Sequence, residues 1–418
     1  MKHLTAMVTI PFVRPDRSLV EMPGYDSATC IYADFPHGEI KTIPEKPSKQ
    51  ELVDALQVIW RPWSAFRFAS DADRAAMLSA VLTSVARPCL TISPGFIFDA
   101  PVQSSGKTIA ASALGAIVRG EHCGITPYVS GPSAEGEMAK KITSMMLVGE
   151  QFLLIDNVTG FWKSPVISGL LTSGIVQDRL LGGNTWFTGS ARMTVCATAN
   201  NASLDRDLAR RFLRIRIDPG METPQLRNFS FHPVKLALQT RMAIARAVLL
   251  LIRGHHKQGA PKFATGDAGF GEWSRLIRDC VMWIGDSGLA TAARIEPLND
   301  PATSISGGQS KDDPDTEAHR LLLKGLYEVF GDQQFYARDV VRVISQGDSN
   351  AKLESVTLLQ DTLKWLLPKQ IELSTVSMGR LLNSHRDNII GDSVLRVRGT
   401  DGDHVKIWQI CRETIAPT

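Results

Sequence analysis

The sequence predicts an α/β fold: a parallel sheet with helices on both faces, then a helical region and a small domain that resembles a winged helix. Three observations predict it. Short apolar runs alternate with helical segments between residues 91 and 219. One of these runs, residues 152–155, is continuously apolar, as expected of a strand that is buried on both faces. Residues 317–418 instead combine helices with a final pair of strands, the order found in a winged helix.

The elements of the α/β region follow from their local patterns. Helices are predicted where apolar residues recur with helical spacing, and strands where a short apolar run stands alone. The predicted strands are 95–99, a weak 128–130, 152–155, 193–197 and 212–217, and the predicted helices are 107–119 and 135–148.

The remaining chain is predicted to flank this core. Apolar spacing predicts two helices, and Ser70 is a plausible N-cap for the second. Candidate strands 394–397 and 405–410 follow a candidate helix near the C-terminus. The predicted boundaries are an extended lead-in (1–50), a helical segment (51–90, with helices 51–59 and 71–85), the α/β core (91–219), a helical lid and basic region (220–295), a linker (296–316) and the winged-helix-like domain (317–418, with helix 374–385).

Composition excludes several classes of protein. The chain has 418 residues, 44% hydrophobic and 21% charged, which is ordinary for a globular protein of two or three domains. No apolar run approaches the roughly 20 residues that cross a bilayer, and the first ten residues lack the pattern of a signal peptide. None of the six cysteines forms a CxxC pair. We therefore expect a cytoplasmic protein without a membrane partner or a zinc site.

A basic stretch follows the α/β region. The net charge of +3 is too small to identify a nucleic-acid partner, but residues 223–266 contain seven lysines and arginines and no acidic residue. Such a face attracts phosphate, although a solvated helix face explains it equally well. The cations are Arg227, Lys235, Arg241, Arg246, Arg253, Lys257 and Lys262.

A phosphate-binding motif lies between a predicted strand and a predicted helix. Its residues are Ser105, Gly106, Lys107 and Thr108, with Ser104 before them in the loop. Backbone N–H groups at a helix N-terminus bind phosphate, Lys107 would reach the β- and γ-phosphates, and Thr108 would hold Mg²⁺. We therefore expect an ATP and Mg²⁺ site of the P-loop kind. The first glycine of the usual motif is replaced here by Pro101, which removes one N–H group.

A second acidic motif supports the first. The apolar run 152–155 ends in Asp156, and an acid at the carboxyl edge of a parallel sheet can face Mg²⁺. A core strand that ends in a turn aspartate is the alternative. Asn157 occupies the position where many related ATPases have a catalytic glutamate. Glu135 and Glu137 are candidates for the missing base, although ordinary exposed helix charge explains them equally well.

The order of the motifs resembles the ATPase module of phage and integrative-element primase–helicases, which is related to superfamily III and other AAA+ helicases. The resemblance extends over nearly the whole chain, and its most specific part is the run 156–211. The resembling segments are Pro23-Gly24-Tyr25-Asp26, Asp156-Asn157, Thr172-Ser173-Gly174, Asp178-Arg179-Leu180-Leu181-Gly182, Ala197-Thr198-Ala199-Asn200-Asn201, the run 205–211 and the run 270–278.

The resemblance implies roles for several polar residues. Asn200, with Asn201 as a second candidate, resembles sensor 1, which contacts the γ-phosphate or the attacking water. Arg210 and Arg211 resemble the arginine finger that acts on a neighbouring subunit, although a basic helix end is the simpler alternative.

A hairpin over residues 177–188 is also implied, with its turn at 182–184. In related motors such a hairpin projects into the ring channel, where Arg179 and Trp186 would contact DNA by charge and stacking. A structural hairpin with a packed Trp186 is the alternative. Arg275 and Arg278 are candidates for sensor 2, although arginine on a helix face is the simpler explanation.

The resemblance predicts a DNA helicase motor of a phage or mobile genetic element. It implies a homo-oligomer, a hexamer by resemblance, with single-stranded DNA in its channel, duplex DNA at the C-terminal domain and a primase supplied in trans. Pro101 and Asn157 depart from the family pattern and bear on hydrolysis more than on ATP binding. Three other classes stay open: a loader or remodeller that acts on protein, an ATP-binding DNA-binding module with little turnover, and a transcriptional or origin-binding protein that acts through its C-terminal domain.

Overall fold

The computed structural model divides into two compact units, residues 1–309 and 310–418. Each unit has a hydrophobic core of its own. The structure describes residues 4–36, 38, 41–100, 104–131, 133–179, 186–200, 202–218, 220, 231–263, 266, 268–305, 314–346, 353–367, 373–387, 389–390 and 393–412.

The first 50 residues, expected as an extended lead-in, fold into short strands of the first unit. Several apolar side chains of these strands are fully buried, among them Val8, Phe12 and Ile31. Burial of these side chains makes the segment part of the main core. The strands are β1 (Ala6–Val8), β2 (Phe12–Val13), β3 (Leu19–Val20), β4 (Gly24–Asp26) and β5 (Ile31–Ala33).

Two capped helices precede the sheet. Helix α1 (Lys49–Trp60) begins with a capping box between Ser48 and Glu51. Helix α2 (Asp71–Ala86) is capped by the Ser70 side chain, as the sequence predicts, and is buried over most of its length.

A five-stranded parallel sheet lies at the centre of the first unit, which confirms the predicted parallel α/β core. Its strand order is β14-β6-β12-β8-β7, and every neighbouring pair is parallel. The elements of this region are β6 (Gly95–Asp99), α3 (Lys107–Arg119), β7 (Thr126–Pro127), α4 (Ala134–Leu147), β8 (Phe152–Val158), β9 (Phe161–Trp162), α5 (Pro165–Thr172), β10 (Ile175–Arg179), β11 (Trp186–Ser190), β12 (Thr194–Ala199), β13 (Ser203–Leu204), α6 (Arg206–Ala209) and β14 (Phe212–Arg216).

The sheet is covered on both faces because its central strands carry apolar residues at successive positions. Phe96 and Phe98 of β6 pack in one core with α2 and α3. Ile97, the residue between them, packs in a second core with α4 and α5. Neighbouring residues of a strand point to opposite faces, so both faces carry helices.

The second strand of the region differs from its prediction. The sequence predicts a strand over 128–130, whereas β7 is Thr126–Pro127 and pairs with Ile155 and Asp156. β7 is the edge strand of the sheet, where a proline is tolerated because one side of the strand needs no partner. The backbone turns away at Gly131, whose φ is 115°.

The region after the sheet is mainly helical, as predicted. Part of the predicted linker, up to residue 305, packs on the first unit: Arg278 pairs with Asp300 at 2.5 Å, and Ile305 bridges to Leu213 of β14. The helices are α7 (Pro233–Gln239), α8 (Arg241–Lys257), α9 (Gly271–Trp273), a π-helical segment (Ser274–Arg278), α10 (Asp279–Asp286), α11 (Leu289–Ala292) and a 3₁₀ turn (Pro301–Ser304).

The predicted basic face is largely occupied by the chain itself. Four of its cations bind backbone carbonyls or a carboxylate, mostly in the N-terminal 50 residues, and Arg227 lies outside the described residues. The arginines therefore tie the N-terminal strands to α8 instead of presenting a continuous phosphate-binding surface. The partners are Ile117 and Thr9 for Arg241, Lys41 and Thr42 for Arg246, Ile43 for Arg253, and Glu45 for Lys257.

The second unit ends with the predicted helix and hairpin. The Ser374 side chain caps the last helix. Trp408 is buried in the core of this unit. The elements are α12 (Pro314–Phe330), α13 (Ala337–Gln346), α14 (Leu353–Leu366), α15 (Thr375–His385), β15 (Ile389–Ile390), β16 (Ser393–Thr400) and β17 (Lys406–Arg412). Within the parts of the chain that the structure describes, no helix has the length and apolar character needed to cross a membrane.

The ion pair of Arg14 with Asp26 predicts a pH-dependent contribution to stability. Asp26 is buried and accepts hydrogen bonds from Arg14 Nε and Thr29 Oγ1 at 3.0 and 2.6 Å. Arg14 holds the pKa of Asp26 below its usual value, so the stabilisation is present above the unfolded pKa, about 3.9, and is lost as pH falls through the folded one. We expect Asp26→Asn to lower the urea midpoint at pH 7.

The comparison with the wild type at low pH tests that prediction. The difference in urea midpoint between Asp26→Asn and the wild type should shrink as pH falls below about 3.9, because both chains then carry a neutral group. A difference that stays constant from pH 7 to pH 3 would contradict the role of the charge.

Candidate nucleotide site

The phosphate turn is built where β6 ends and α3 begins. Gly106 has φ 88° and ψ 11°, a left-handed conformation that suits glycine, and a Cβ there would lie 2.9 Å from the Phe66 ring. Helix α3 starts at Lys107, so its first backbone N–H groups point out of this turn. Ser104 also has positive φ, 59°. Residues 101–103, which include Pro101, lie outside the described residues.

Lys107 connects the turn to the adjacent strand. Its Nζ donates to Ser105 Oγ at 3.0 Å and to Asn200 Oδ1 at 2.8 Å. Asn200 follows β12, the neighbour of β6, so the sheet order brings the two residues together. Burial lowers the pKa of the Lys107 amine, and the Asp99 and Asp156 carboxylates oppose that effect. Lys107 and Asn200, two of the predicted site residues, are therefore in direct contact.

Asp156 lies on the other side of the same turn. Its Oδ1 accepts hydrogen bonds from Thr108 Oγ1 at 2.8 Å and from Thr198 Oγ1 at 2.7 Å. The Thr108 hydroxyl and the Asp156 carboxylate are hard oxygen ligands of the kind Mg²⁺ takes beside phosphate oxygens. Thr198 was not predicted as a site residue. Its only sequence signal is a hydroxyl inside the otherwise apolar strand β12.

Asn157 occupies a special backbone conformation at this edge. Its φ is 62°, and the pairing of β12 with β8 shifts register between Ala197 and Ala199, opposite this point. The Asn157 N–H donates to Thr198 Oγ1 at 2.9 Å, and its Oδ1 accepts from Asn200 Nδ2 at 3.2 Å. Asn157 therefore holds the Asn200 side chain through its amide oxygen.

The two glutamates proposed as bases have other partners. Glu135 Oε2 accepts from Ser164 Oγ and from the Val166 N–H, both at 3.1 Å, at the start of α5. Glu137 is exposed and pairs with Lys140 at 2.7 Å, which lowers the pKa of its carboxyl. A general base works best with a pKa near the working pH, so the shift at Glu137 is in the unfavourable direction.

The candidate arginines lie at the end of α6 and in the π-helical segment. Arg210 and Arg211 each pair with Asp207 at 2.5 Å, and the side chain of Arg210 is the more exposed of the two. An arginine finger contacts the neighbouring subunit, so this role stays a prediction. Of the sensor 2 candidates, Arg278 is buried against Asp300, a structural position, whereas Arg275 is exposed.

The predicted hairpin consists of β10 and β11. Arg179 lies directly opposite Trp186, its guanidinium is 5.6 Å from the centre of the indole ring, and Trp186 is 64% exposed. Asp178, near the turn end of β10, accepts from Thr143 Oγ1 of α4 at 2.7 Å, which holds that end of the hairpin against α4. This exposure disagrees with the alternative interpretation, in which Trp186 is packed. The turn, residues 180–185, lies outside the described residues.

Other metal chemistry has little support in the described part of the chain. No cluster of three or more His, Cys, Asp or Glu side chains occurs among the described residues. The six cysteines are free thiols, and burial raises the pKa of Cys89 to about 12. The Thr108 and Asp156 pair is the arrangement that fits a magnesium ion shared with a nucleotide.

No protein-family model matches the chain, and no curated protein matches it. Solved structures do resemble it, and two of the three described below are titled as helicases. At these low TM-scores the chemistry of the site has to be inferred from its own residues.

The resemblances to solved structures are broad but distant. The active helicase Cch of SCCmec type IV shares 12% identity over 91% of this chain and 73% of its own, with a TM-score of 0.37. The apo A form of the NrS-1 C-terminal region shares 9% over 94% and 87%, with a TM-score of 0.39. The JCV helicase bound to a thiazolopyridine-containing acetamide shares 18% identity over 60% of this chain and 74% of its own, with a TM-score of 0.26.

Proposed function

We propose that the chain is an ATP-driven DNA helicase motor with its nucleotide at the Gly106 turn. The observation that supports it is the convergence of four polar residues from three separate segments. Lys107 contacts Asn200, and Thr108 contacts Asp156, at 2.8 Å in each case. This set supplies a cation for the phosphates, two oxygen ligands for Mg²⁺ and a polar group for the attacking water.

Each residue has a distinct task in hydrolysis. The α3 N-terminus and Lys107 bind the phosphate oxygens and stabilise the charge that develops during transfer. Thr108 and Asp156 hold Mg²⁺, which supplies Lewis acidity when bound. Asn200, oriented by Asn157, positions the water. Because Asn157 is an amide, proton removal from that water falls to another group, and hydrolysis is expected to be slow in the absence of DNA.

Oligomerisation would complete the site. Arg210, the more exposed of the two candidate arginines, is suited to reach the nucleotide of a neighbouring subunit, with Arg211 beside it. In a homo-oligomeric ring, a hexamer by resemblance, the β10–β11 hairpin would contact single-stranded DNA through Arg179 and Trp186. Movement of the hairpin between nucleotide states would translocate the strand.

The second unit is proposed to be a winged-helix-like module for duplex DNA or a partner. Helix α15 is followed by the three-stranded antiparallel sheet β15-β16-β17, and Phe335 forms an isolated antiparallel bridge with Trp408 of β17. We further propose that the motor serves replication of a phage or mobile genetic element, with priming by a separate primase.

Unwinding of a forked duplex tests the function as a whole. The full-length chain with ATP and Mg²⁺ should separate the strands, and its native mass with nucleotide should exceed that of one chain. ATP hydrolysis that responds to a protein client but not to single-stranded DNA would indicate a remodeller instead. Tight ATP binding without phosphate release would indicate a nucleotide-dependent switch.

The hairpin gives a sharper prediction. Trp186→Ala should weaken binding of single-stranded DNA by about fivefold to a hundredfold, because stacking of one base on an aromatic ring contributes about 1–3 kcal/mol. Stimulation of ATP hydrolysis by the same DNA should fall in parallel. Fluorescence anisotropy of a labelled oligonucleotide and phosphate release measure the two effects.

Two controls separate DNA contact from damage to the fold. Tyr32→Ala removes another exposed aromatic ring, outside the hairpin, and should leave DNA affinity unchanged. Hydrolysis without DNA should be equal in Trp186→Ala and the wild type. Wild-type DNA affinity in Trp186→Ala would remove the hairpin from the proposed DNA path.

A further inference from the structure

A buried ion pair lies beside the phosphate turn. Asp99 is the last residue of β6, and its side chain is 4% exposed. Its Oδ2 accepts from Arg214 Nη1 at 2.8 Å, and its Oδ1 accepts from the Ala100 N–H at 2.9 Å. Arg214 belongs to β14, the strand that pairs with β6 on the side away from Asp156. The pair therefore anchors the point where the phosphate loop leaves the sheet.

The same guanidinium reaches a second part of the site. Arg214 Nη2 donates to the Ala202 carbonyl at 3.2 Å. Ala202 stands two residues after Asn200, which holds the Lys107 amine. A planar guanidinium with several donors can bind a carboxylate and a carbonyl at once. Arg214 thus links the start of the phosphate loop to the loop that carries Asn200.

Electrostatics give this link a consequence for ATP binding. Asp99 acts on the Lys107 amine and favours its charged form. An unpaired carboxylate in that place would also repel the negative charge of a triphosphate, and burial strengthens such a repulsion. Removal of one partner of a buried ion pair leaves the other charge uncompensated, which is the more damaging change.

We propose that Arg214 is a positioning residue of the nucleotide site, which neutralises Asp99 and holds the Asn200 loop against Lys107. The inference rests on the proposed nucleotide site. Separate effects on ATP affinity and on turnover are expected. Neutralisation of Asp99 affects ATP binding, whereas the tether to Ala202 affects the placement of Asn200.

Calorimetric ATP titration and steady-state kinetics of the full chain test both effects. Arg214→Gln, which removes the ion pair with Asp99, should raise the Kd and KM for ATP by at least about tenfold. The double variant Asp99→Asn with Arg214→Gln should return the Kd to within about threefold of the wild type, while kcat stays low. A merely structural arginine would not give this split between affinity and turnover.

Two further variants keep the test decisive. Arg216→Gln is the same substitution two residues along β14, on an exposed side chain, and should behave as the wild type. Arg214→Lys retains the charge but lacks the fork that reaches Asp99 and Ala202 together. It should bind ATP within about threefold of the wild type with a reduced kcat, which provides the answer if Arg214→Gln does not fold.

The possible failures are distinguishable. A wild-type chain that binds no ATP overturns the proposed function and this inference with it. If the wild type binds ATP, then unchanged ATP affinity in a folded Arg214→Gln overturns the inference alone. So does a double variant that binds no better than Arg214→Gln, or a wild-type kcat in Arg214→Lys.

Discussion

Lys107→Ala is expected to reduce ATP hydrolysis by about a hundredfold to a thousandfold, the usual effect of removing one group that stabilises transition-state charge. The Lys107 amine is held at the turn by hydrogen bonds to Ser105 and Asn200. Alanine removes the charge and also releases Asn200. Phosphate release with and without single-stranded DNA measures the loss, and ATP affinity should fall with it.

Lys235→Ala is a suitable control for that experiment. Lys235 is exposed on α7, so its removal changes the net charge equally without touching the turn. Hydrolysis in Lys235→Ala should equal that of the wild type in the absence of DNA. Persistence of wild-type hydrolysis in Lys107→Ala would mean that the measured activity does not come from this site.

Asp156→Asn is expected to reduce magnesium-dependent hydrolysis by about a thousandfold, because a metal ligand contributes several kcal/mol to the stabilisation of transition-state charge. The amide oxygen can still accept from Thr108 and Thr198, so the fold and the position of the side chain should be retained. ATP binding without Mg²⁺ should be at least as tight as in the wild type, since a negative charge is lost near the phosphates. Phosphate release across a range of Mg²⁺ concentrations measures the effect.

Thr198→Val separates the charge of Asp156 from its orientation. It removes one hydroxyl donor to Asp156 and the acceptor for the Asn157 N–H but leaves the carboxylate charged. Hydrolysis should fall less than in Asp156→Asn, and additional Mg²⁺ should restore part of it. Equal hydrolysis in Asp156→Asn and the wild type, with unchanged thermal midpoints, would remove Asp156 from the metal site.

The elements around the site were predictable because their signals are local. Gly106 and Lys107 mark a turn that enters a helix, and the apolar run before Asp156 marks a buried parallel strand. The neighbourhood of Lys107 and Asn200 then follows from the sheet order, which places β12 between β6 and β8. From the sequence, only the resemblance to the ATPase module of primase–helicases indicated that Lys107 and Asn200 belong to one site.

The other site residues depend on contacts between distant segments. Thr198 and Arg214 resemble ordinary strand residues until the sheet brings them to Asp156 and Asp99. The arginines of α8 were similarly ambiguous. Nothing in the pattern of a basic helix shows that these arginines donate to backbone carbonyls of the N-terminal segment. Burial of Val8 in the main core likewise depends on partners far along the chain.

Chemical labelling of Lys107 tests the central claim most directly. A lysine-reactive acyl phosphate of ATP acylates the amine that lies against the bound phosphates, and burial, which lowers the pKa of Lys107, favours its nucleophilic form. Mass spectrometry of the digested chain should locate the label on the peptide that contains Lys107, and excess ATP should prevent it. Labelling of exposed lysines alone, or labelling of Lys107 that ATP does not reduce, would contradict a triphosphate site at the Gly106 turn.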